Sequence, residues 1–223
     1  DDNGCTFNLN GVALTQPAQL AGTLTLTQDV LCNGAADGIV EVTGATGGTG
    51  SLEYTLNPGA VNNTTGVFSG LAPDDYTVTI EDDNGCTLTT NSVTVAEPTS
   101  VTASGVAATY VGGVNISCNG LTDGSIDLTT GGGTVPYTIS WTGPGGFTSA
   151  SEDITNLAAG SYIVTVTDDN NCSVTLPAFV LTEPAALTNT LAITDSVSCN
   201  GVNDASVTAT AAGGTAPFSY SLN

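Results

Sequence analysis

Leu71-Ala-Pro-Asp-Asp-Tyr-Thr-Val-Thr-Ile-Glu-Asp-Asp-Asn-Gly-Cys86 and Leu157-Ala-Ala-Gly-Ser-Tyr-Ile-Val-Thr-Val-Thr-Asp-Asp-Asn-Asn-Cys172 are two copies of one stretch. In each copy an apolar residue recurs at every second position: Tyr76, Val78 and Ile80 in one, Tyr162, Val164 and Val166 in the other. Side chains of an extended chain point alternately to its two faces, so this pattern predicts a half-buried β-strand. The Asp-Asp-Asn that follows favours a tight turn, so the strand reverses at a cysteine. Asp1-Asp-Asn-Gly-Cys5 repeats the end of the same stretch, and the chain is therefore expected to be cut from a longer tandem array.

Outward from these two strands, the cysteines set the period. Cys5, Cys86 and Cys172 are separated by 81 and 86 residues, and Cys32, Cys118 and Cys199 by 86 and 81. The unit is thus the size of one immunoglobulin-like domain, large enough to bury its own core. Residues 1–20 read as the end of a preceding repeat, with a last strand near Thr6 to Leu9. Residues 21–98 and 99–184 read as two whole repeats, and 185–223 as the first part of another, with Phe218, Tyr220 and Leu222 in its final strand. In the first whole repeat, strands are expected at Leu24 to Leu31, Ile39 to Val42 and Leu52 to Leu56. Short pieces follow near Val61 and at Val67-Phe68, then the Tyr76 strand and a last strand through Leu88, Val93 and Val95. Sustained helical periodicity is missing throughout. The expected fold is all-β: tandem immunoglobulin-like β-sandwich domains arranged end to end.

The chain has 21 acidic residues and no Lys, Arg or His. With no side-chain cation to hold a phosphate, nucleic acid and anionic lipid are disfavoured as partners. Apolar residues make up 40% and charged residues only 9%, which with the strong alternation favours folded domains over a disordered acidic chain. Six cysteines at repeated positions, without one histidine, point to disulfides formed in an oxidising compartment. No apolar run is long enough to span a membrane as a helix. Secretion and anchoring signals are expected to lie outside this stretch.

Several short motifs recur in a fixed order. Cys-Asn-Gly begins at Cys32, Cys118 and Cys199; Asp-Gly follows at Asp37 and Asp123; Gly-Gly-Thr stands at Gly47, Gly132 and Gly213. Pro136-Tyr137 or Pro217-Phe218 comes next, and the Tyr-x-Val-Thr strand with its Asp-Asp-Asn-x-Cys turn closes the series. Taken together this order resembles the SprB-type repeat of large cell-surface adhesins from Bacteroidetes, over essentially the whole chain. The first repeat departs from it with Gly50-Ser51 where the others have Val135-Pro136 and Ala216-Pro217. The resemblance implies a secreted, surface-displayed filament, exported by the type IX route and in some relatives used for gliding.

Strand direction decides which cysteines can meet. If two short strands separate the Leu56 strand from the Tyr76 strand, Cys32 and Cys86 lie at opposite poles of their domain. They would stand about 27 to 30 Å apart, whereas a disulfide needs Cα atoms within about 7 Å. Cys32 is then expected to bond Cys172 of the next repeat, with Cys5, Cys86, Cys118 and Cys199 reaching residues beyond this chain. If only one strand intervenes, the parity flips and Cys32–Cys86 and Cys118–Cys172 become the natural pairs. The same end-to-end geometry would gather Asp37, Asp168 and Asp169, which with no cation to balance them could hold Ca²⁺. The alternative is that turns favour Asp and Asn for their own sake.

Catalysis has little to work with. The usual general bases and amine nucleophiles are missing, and carboxylates repeated in every unit do not make a single active site, so no enzyme is expected. Tyr76 and Tyr162 fit the corner tyrosine of immunoglobulin-like domains, whose hydroxyl bonds to nearby backbone. Trp141, with Leu56 and Leu222 as counterparts, reads as core. Asn62, Asn63, Asn115 and Asn171 begin glycosylation sequons, and Asp195-Ser196-Val197 resembles an O-glycosylation motif, both weak patterns in a chain rich in Ser and Thr. The expected role is that of extender repeats in the stalk of an extracellular adhesin filament. Its partners would be neighbouring repeats, with an outer surface or polysaccharide gripped by other parts. A glycan- or surface-binding module, using Thr-rich faces such as Thr23 to Thr27, is the alternative. The segment 109–114, taken as the counterpart of that face in the second repeat, lacks its pattern.

Overall fold

In the computed structural model of the chain, which describes residues 2–7, 11 and 13–221, the alternating stretches become antiparallel strands in two units, Asp1–Glu97 and Pro98–Asn223. The first unit contains β1 (Ala21–Gln28), β2 (Gly38–Thr46), β3 (Leu52–Asn57), β4 (Val61–Asn63), β5 (Val67–Leu71), β6 (Asp74–Asp82), β7 (Thr87–Thr89) and β8 (Val93–Val95). One sheet has the order β1-β2-β5, and the sheet opposite has β4-β3-β6-β7, with β8 also on β6. After the β3–β4 hairpin the chain crosses to place β5 beside β2, then crosses back to place β6 beside β3. The two inward faces bury Leu24, Val40 and Phe68 against Leu56, Val78 and Ile80. This is a β-sandwich, as the period-2 pattern demands.

The second unit follows the same plan with β9 (Thr102–Ala107), β10 (Gly124–Gly131), β11 (Thr138–Thr142), β12 (Thr148–Ser149), β13 (Ile154–Leu157), β14 (Gly160–Thr167), β15 (Ser173–Thr175) and β16 (Phe179–Leu181). Sheet β13-β10-β9 faces sheet β12-β11-β14-β15, with β16 on β14. A further hairpin, β17 (Thr188–Asp195) with β18 (Ser206–Ala212), completes the strands. Among the described residues there is no α-helix, and the fold is all-β.

Register identifies positions that correspond in space. Val40 pairs Phe68 as Ile126 pairs Ile154, and Leu56 pairs Val78 as Trp141 pairs Val164. The counterpart of Leu24, which pairs Val42, is Gly105, which pairs Leu128. The core volume is then redistributed. A Cβ on Gly105 would lie 2.7 Å from the ring of Phe179, and Phe179 also packs on Trp141 at 5.9 Å between ring centroids. Where one domain uses Leu24, Leu56 and Val93, the other uses Gly105, Trp141 and Phe179. Close packing is conserved as a sum, not residue by residue.

Five expectations change. The last strand of each repeat is split: β7 from β8, and β15 from β16. In the first unit the Thr90 N–H donates to the Val78 carbonyl while its hydroxyl accepts the Val78 N–H, and Asn91 donates to and accepts from the backbone of Leu24 in the opposite sheet, so side chains take over part of the ladder there. The first strand ends at Gln28, and Val30 instead donates its N–H to Ala96. Thr6 and Phe7 belong to no strand, since no ladder partner lies beside them among the described residues; Asn8 and Leu9 lie outside these. Phe218 and Tyr220 are likewise not in a strand, and Leu222 lies outside the described residues. Finally, the counterpart of the Thr23 to Thr27 face is β9, not residues 109–114. The latter form a turn closed by Tyr110, whose N–H donates to Val114 and whose hydroxyl donates to Asp123. The small residues of β9 hid it, because Phe179 supplies the bulk that its own side chains lack.

Candidate functional site at the cysteine-bearing poles

Each domain has an upstream pole, where the chain enters, and a downstream pole, where it leaves. The first element at the upstream pole is the Gly-Gly-Thr turn. Gly48 donates its N–H to Ala18, and Gly133 donates to Thr99 in the second domain. Gly47 and Gly132 adopt positive φ, and a Cβ on either would lie 2.0 or 1.9 Å from the carbonyl oxygen of Gln19 or Ser100. Only glycine lets the entering segment lie against this turn.

The Asp-Asp-Asn-x-Cys turn meets it there. Asp82 is 5% exposed, and its Oδ1 accepts the N–H groups of Asn84 and Cys86 at 3.0 and 2.9 Å. Its Oδ2 accepts that of Thr49 at 2.8 Å, tying the two turns together. Asp168 repeats the arrangement with Asn170, Cys172 and Thr134 at 3.0, 2.9 and 2.9 Å. The Cys86 N–H above all holds Asp82 below the usual carboxylate range, outweighing the opposite effect of burial. Burial pushes Asp168 up, but the N–H groups of Thr134, Cys172 and Asn170 together bring it down. The second aspartate of each turn has another part: Asp83 and Asp169 donate backbone N–H groups to Thr49 and Thr134.

At the downstream pole the Cys-Asn-Gly turn is held by two carboxylates. Asp37 accepts the Leu31 N–H at 3.0 Å, and Glu97 accepts the Gly34 N–H at 2.7 Å. Their counterparts Asp123 and Glu183 accept from Ser117 and Gly120 at 3.1 and 2.7 Å. The Ser117 hydroxyl also donates to Asp123 and holds that carboxyl below its usual range. Glu97 and Glu183 escape a reading of the sequence as anything but the close of a repeat. Their signal is there nonetheless: each stands 65 residues after a Cys-Asn-Gly cysteine and directly before a proline.

The cysteines of one domain therefore sit at opposite ends of β6 or β14. Two strands, β4 and β5, separate β3 from β6, and β6 runs from Asp74, opposite Val95 at the downstream pole, to Asp82 at the upstream one. Nine residues of strand rise about 30 Å, far beyond the reach of a disulfide. Cys32 and Cys172 are both disulfide-bonded. Cys86, Cys118 and Cys199 carry exposed free thiols, and Cys5 is exposed.

Of the three carboxylates read as Ca²⁺ ligands, Asp168 has both oxygens committed to backbone donors and Asp37 has one. Asp169 is exposed. Among the described residues, no group of three or more acidic, Cys or His side chains gathers in a way that could hold a metal ion. Tyr76 and Tyr162 are buried, and their hydroxyls donate to the carbonyls of Ala72 and Ala158, both at 3.0 Å. Burial raises the pKa of each, with Asp74 adding to the effect at Tyr76. They are corner tyrosines, occupied by structure. Trp141 is fully buried and its Nε1–H donates to Ser151.

Residues 24–61, 114–146 and 191–223 match the SprB repeat family. Each matched stretch contains one Cys-Asn-Gly turn and one Gly-Gly-Thr turn, so the family pattern spans both poles of the domain. No curated protein matches the chain.

Proposed function

Because the chain is a SprB-type repeat region of a surface adhesin-like protein, we propose that it forms part of the stalk of an extracellular adhesive filament, a non-catalytic extender whose task is reach and tensile continuity. One observation carries the reading: each sandwich takes in the chain at one pole and releases it at the other, with a latched, cysteine-bearing turn at each. Domains of this kind can be strung in line, with the cysteine of one downstream pole bonded to that of the next upstream pole. Cys32 then bonds Cys172, and Cys86 and Cys118 bond to flanking repeats. Opposite poles and the oxidised state of Cys32 and Cys172 support this pairing. The filament is exported to the cell surface, where it serves adhesion and gliding through parts that grip an outer surface or polysaccharide.

Two measurements test the proposal together. Peptide mapping under non-reducing conditions is expected to return one peptide joining Cys32 to Cys172. A peptide joining Cys118 to Cys172 refutes the pairing. Images of the protein are expected to show an advance of roughly 35 to 45 Å per repeat, scaled from strand length. A much smaller advance, as in a folded-up cluster, refutes the stalk.

A further inference from the structure

The two whole domains treat the outer edge of their first strand differently. Leu24 in β1 and its counterpart Gly105 in β9 turn their backbone N–H and C=O groups away from β2 and β10. In β9 the alternation is fixed by Ala108, whose N–H donates to Ser125, so that residues 102, 104 and 106 bond β10 and residues 103, 105 and 107 point outward. In the first domain Asn91 closes this edge: its side chain accepts the Leu24 N–H and donates to the Leu24 carbonyl, at 3.0 Å each. Leu176 donates its N–H to Val164 as Thr90 does to Val78, which puts Pro177 at the place of Asn91. Proline has no side-chain amide, and among the described residues nothing bonds the outward groups of Ala103, Gly105 and Ala107.

An open edge is a template for another strand, and proteins blunt the edges they do not use. β1 has register shifts between Ala21 and Thr23 and between Leu26 and Gln28, whereas β9 pairs β10 over six residues without one. β5 and β13 contain Gly70 and Asn156 at positive φ, and the remaining outer strands of the two domains have two or three residues. Of these edges β9 keeps a long, regular one with no such device. We propose that β9 pairs with β9 of a second copy of the chain, antiparallel about a two-fold axis at Gly105. The strand is self-complementary in that register: Gly105 faces Gly105 and Ala103 faces Ala107, and each outward residue donates one bond and accepts one. Small side chains let the two backbones approach, and Val106, 72% exposed, comes to lie beside Ser104 of the other copy. Charge favours the same edge. Two copies with 21 acidic residues each repel one another, but residues 98–122 contain none. The one carboxylate of β10, Asp127, pairs Val106; across the joined strands it stands three strand spacings, about 14 Å, from its copy, beyond the Debye length of about 8 Å. An edge of six residues makes a weak contact, and between filaments of the proposed stalk its repetition would add avidity. That consequence rests on the stalk proposal; the pairing itself does not.

The test takes the full chain with its exposed thiols alkylated, so that no disulfide links two copies. Sedimentation is expected to show a monomer–dimer equilibrium. Amide hydrogen exchange at Ala103, Gly105 and Ala107 is expected to slow as concentration rises, while Ser104 and Val106, already bonded to β10, do not change. Ala103→Pro removes an outward N–H and leaves the β10 ladder intact, since proline is accepted on a sheet edge. It takes two hydrogen bonds from the dimer and is expected to weaken it about thirtyfold. Val106→Glu, on an exposed side chain that the fold does not need, sets like charges on neighbouring strands and is expected to weaken the dimer as well. Val207→Glu, on the exposed face of β18, is expected to leave dimerisation unchanged. A chain that stays monomeric up to about 1 mM overturns the proposal. So does association that survives both Ala103→Pro and Val106→Glu, or that Val207→Glu abolishes.

Discussion

Trp141→Leu places in the second domain the residue that its sister carries at Leu56, and the outcome depends on whether the core is conserved as a sum. Trp141 is fully buried, packs on Phe179 and donates to Ser151. Truncating a buried Trp to Ala costs about 3–5 kcal/mol, and leucine restores part of that area. The indole hydrogen bond adds about 1 kcal/mol, reduced because Ser151 is exposed to water. The single variant is thus expected to lose about 2–3 kcal/mol and to melt roughly 8–24 °C lower. Because the chain has one Trp, wild-type fluorescence identifies the transition of the second unit, and calorimetry then follows it in the variant. Adding Gly105→Leu and Phe179→Val transplants the other domain's solution, Leu24, Leu56 and Val93. The triple variant is expected to recover to within about 2 kcal/mol of wild type, since substitutions in contact do not add. A triple variant as unstable as the sum of its three singles refutes the reasoning. So does a single variant that leaves the second transition in place.

Other outcomes follow from the poles. Gly132→Ala is expected to prevent the second domain from folding stably, as read by calorimetry, because its Cβ meets the Ser100 carbonyl and its φ is positive; Gly113→Ala, also at positive φ but with open space around it, is expected to be much milder. Tyr162→Phe removes one hydrogen bond to Ala158 and is expected to cost about 1 kcal/mol in urea unfolding; a neutral effect would reopen a binding role for this side chain. Asp82 and Asp168 have lowered pKa values, so the stability they confer is present above the unfolded carboxylate pKa of about 3.9 and is lost as pH falls through their folded values. Melting temperature is therefore expected to drop below about pH 4, and a variant with Asp82→Asn and Asp168→Asn is expected to start lower and fall less.

The strands and their repetition were legible in the residues alone. Alternation at Tyr76 to Ile80 and at Tyr162 to Val166 is a local property, because side-chain direction in a strand depends only on the backbone. Turns written in Gly, Asn and Asp are local as well, and the cysteine period that divides the chain is read by counting along it. The absence of Lys, Arg and His is a matter of composition and limits partners without any fold. Only the tertiary structure decided what depends on residues far apart in sequence. It showed that two strands intervene between β3 and β6, which sends Cys32 and Cys86 to opposite poles, where spacing had left both parities open. It gave the two aspartates of the Asp-Asp-Asn turn different work, one buried as a latch and one exposed. It also matched β9 to β1, which the residues of β9 conceal because a ring from the last strand fills the space that a leucine fills in the sister domain. Packing and hydrogen-bond satisfaction are settled across the sandwich, between neighbours that no local pattern can name.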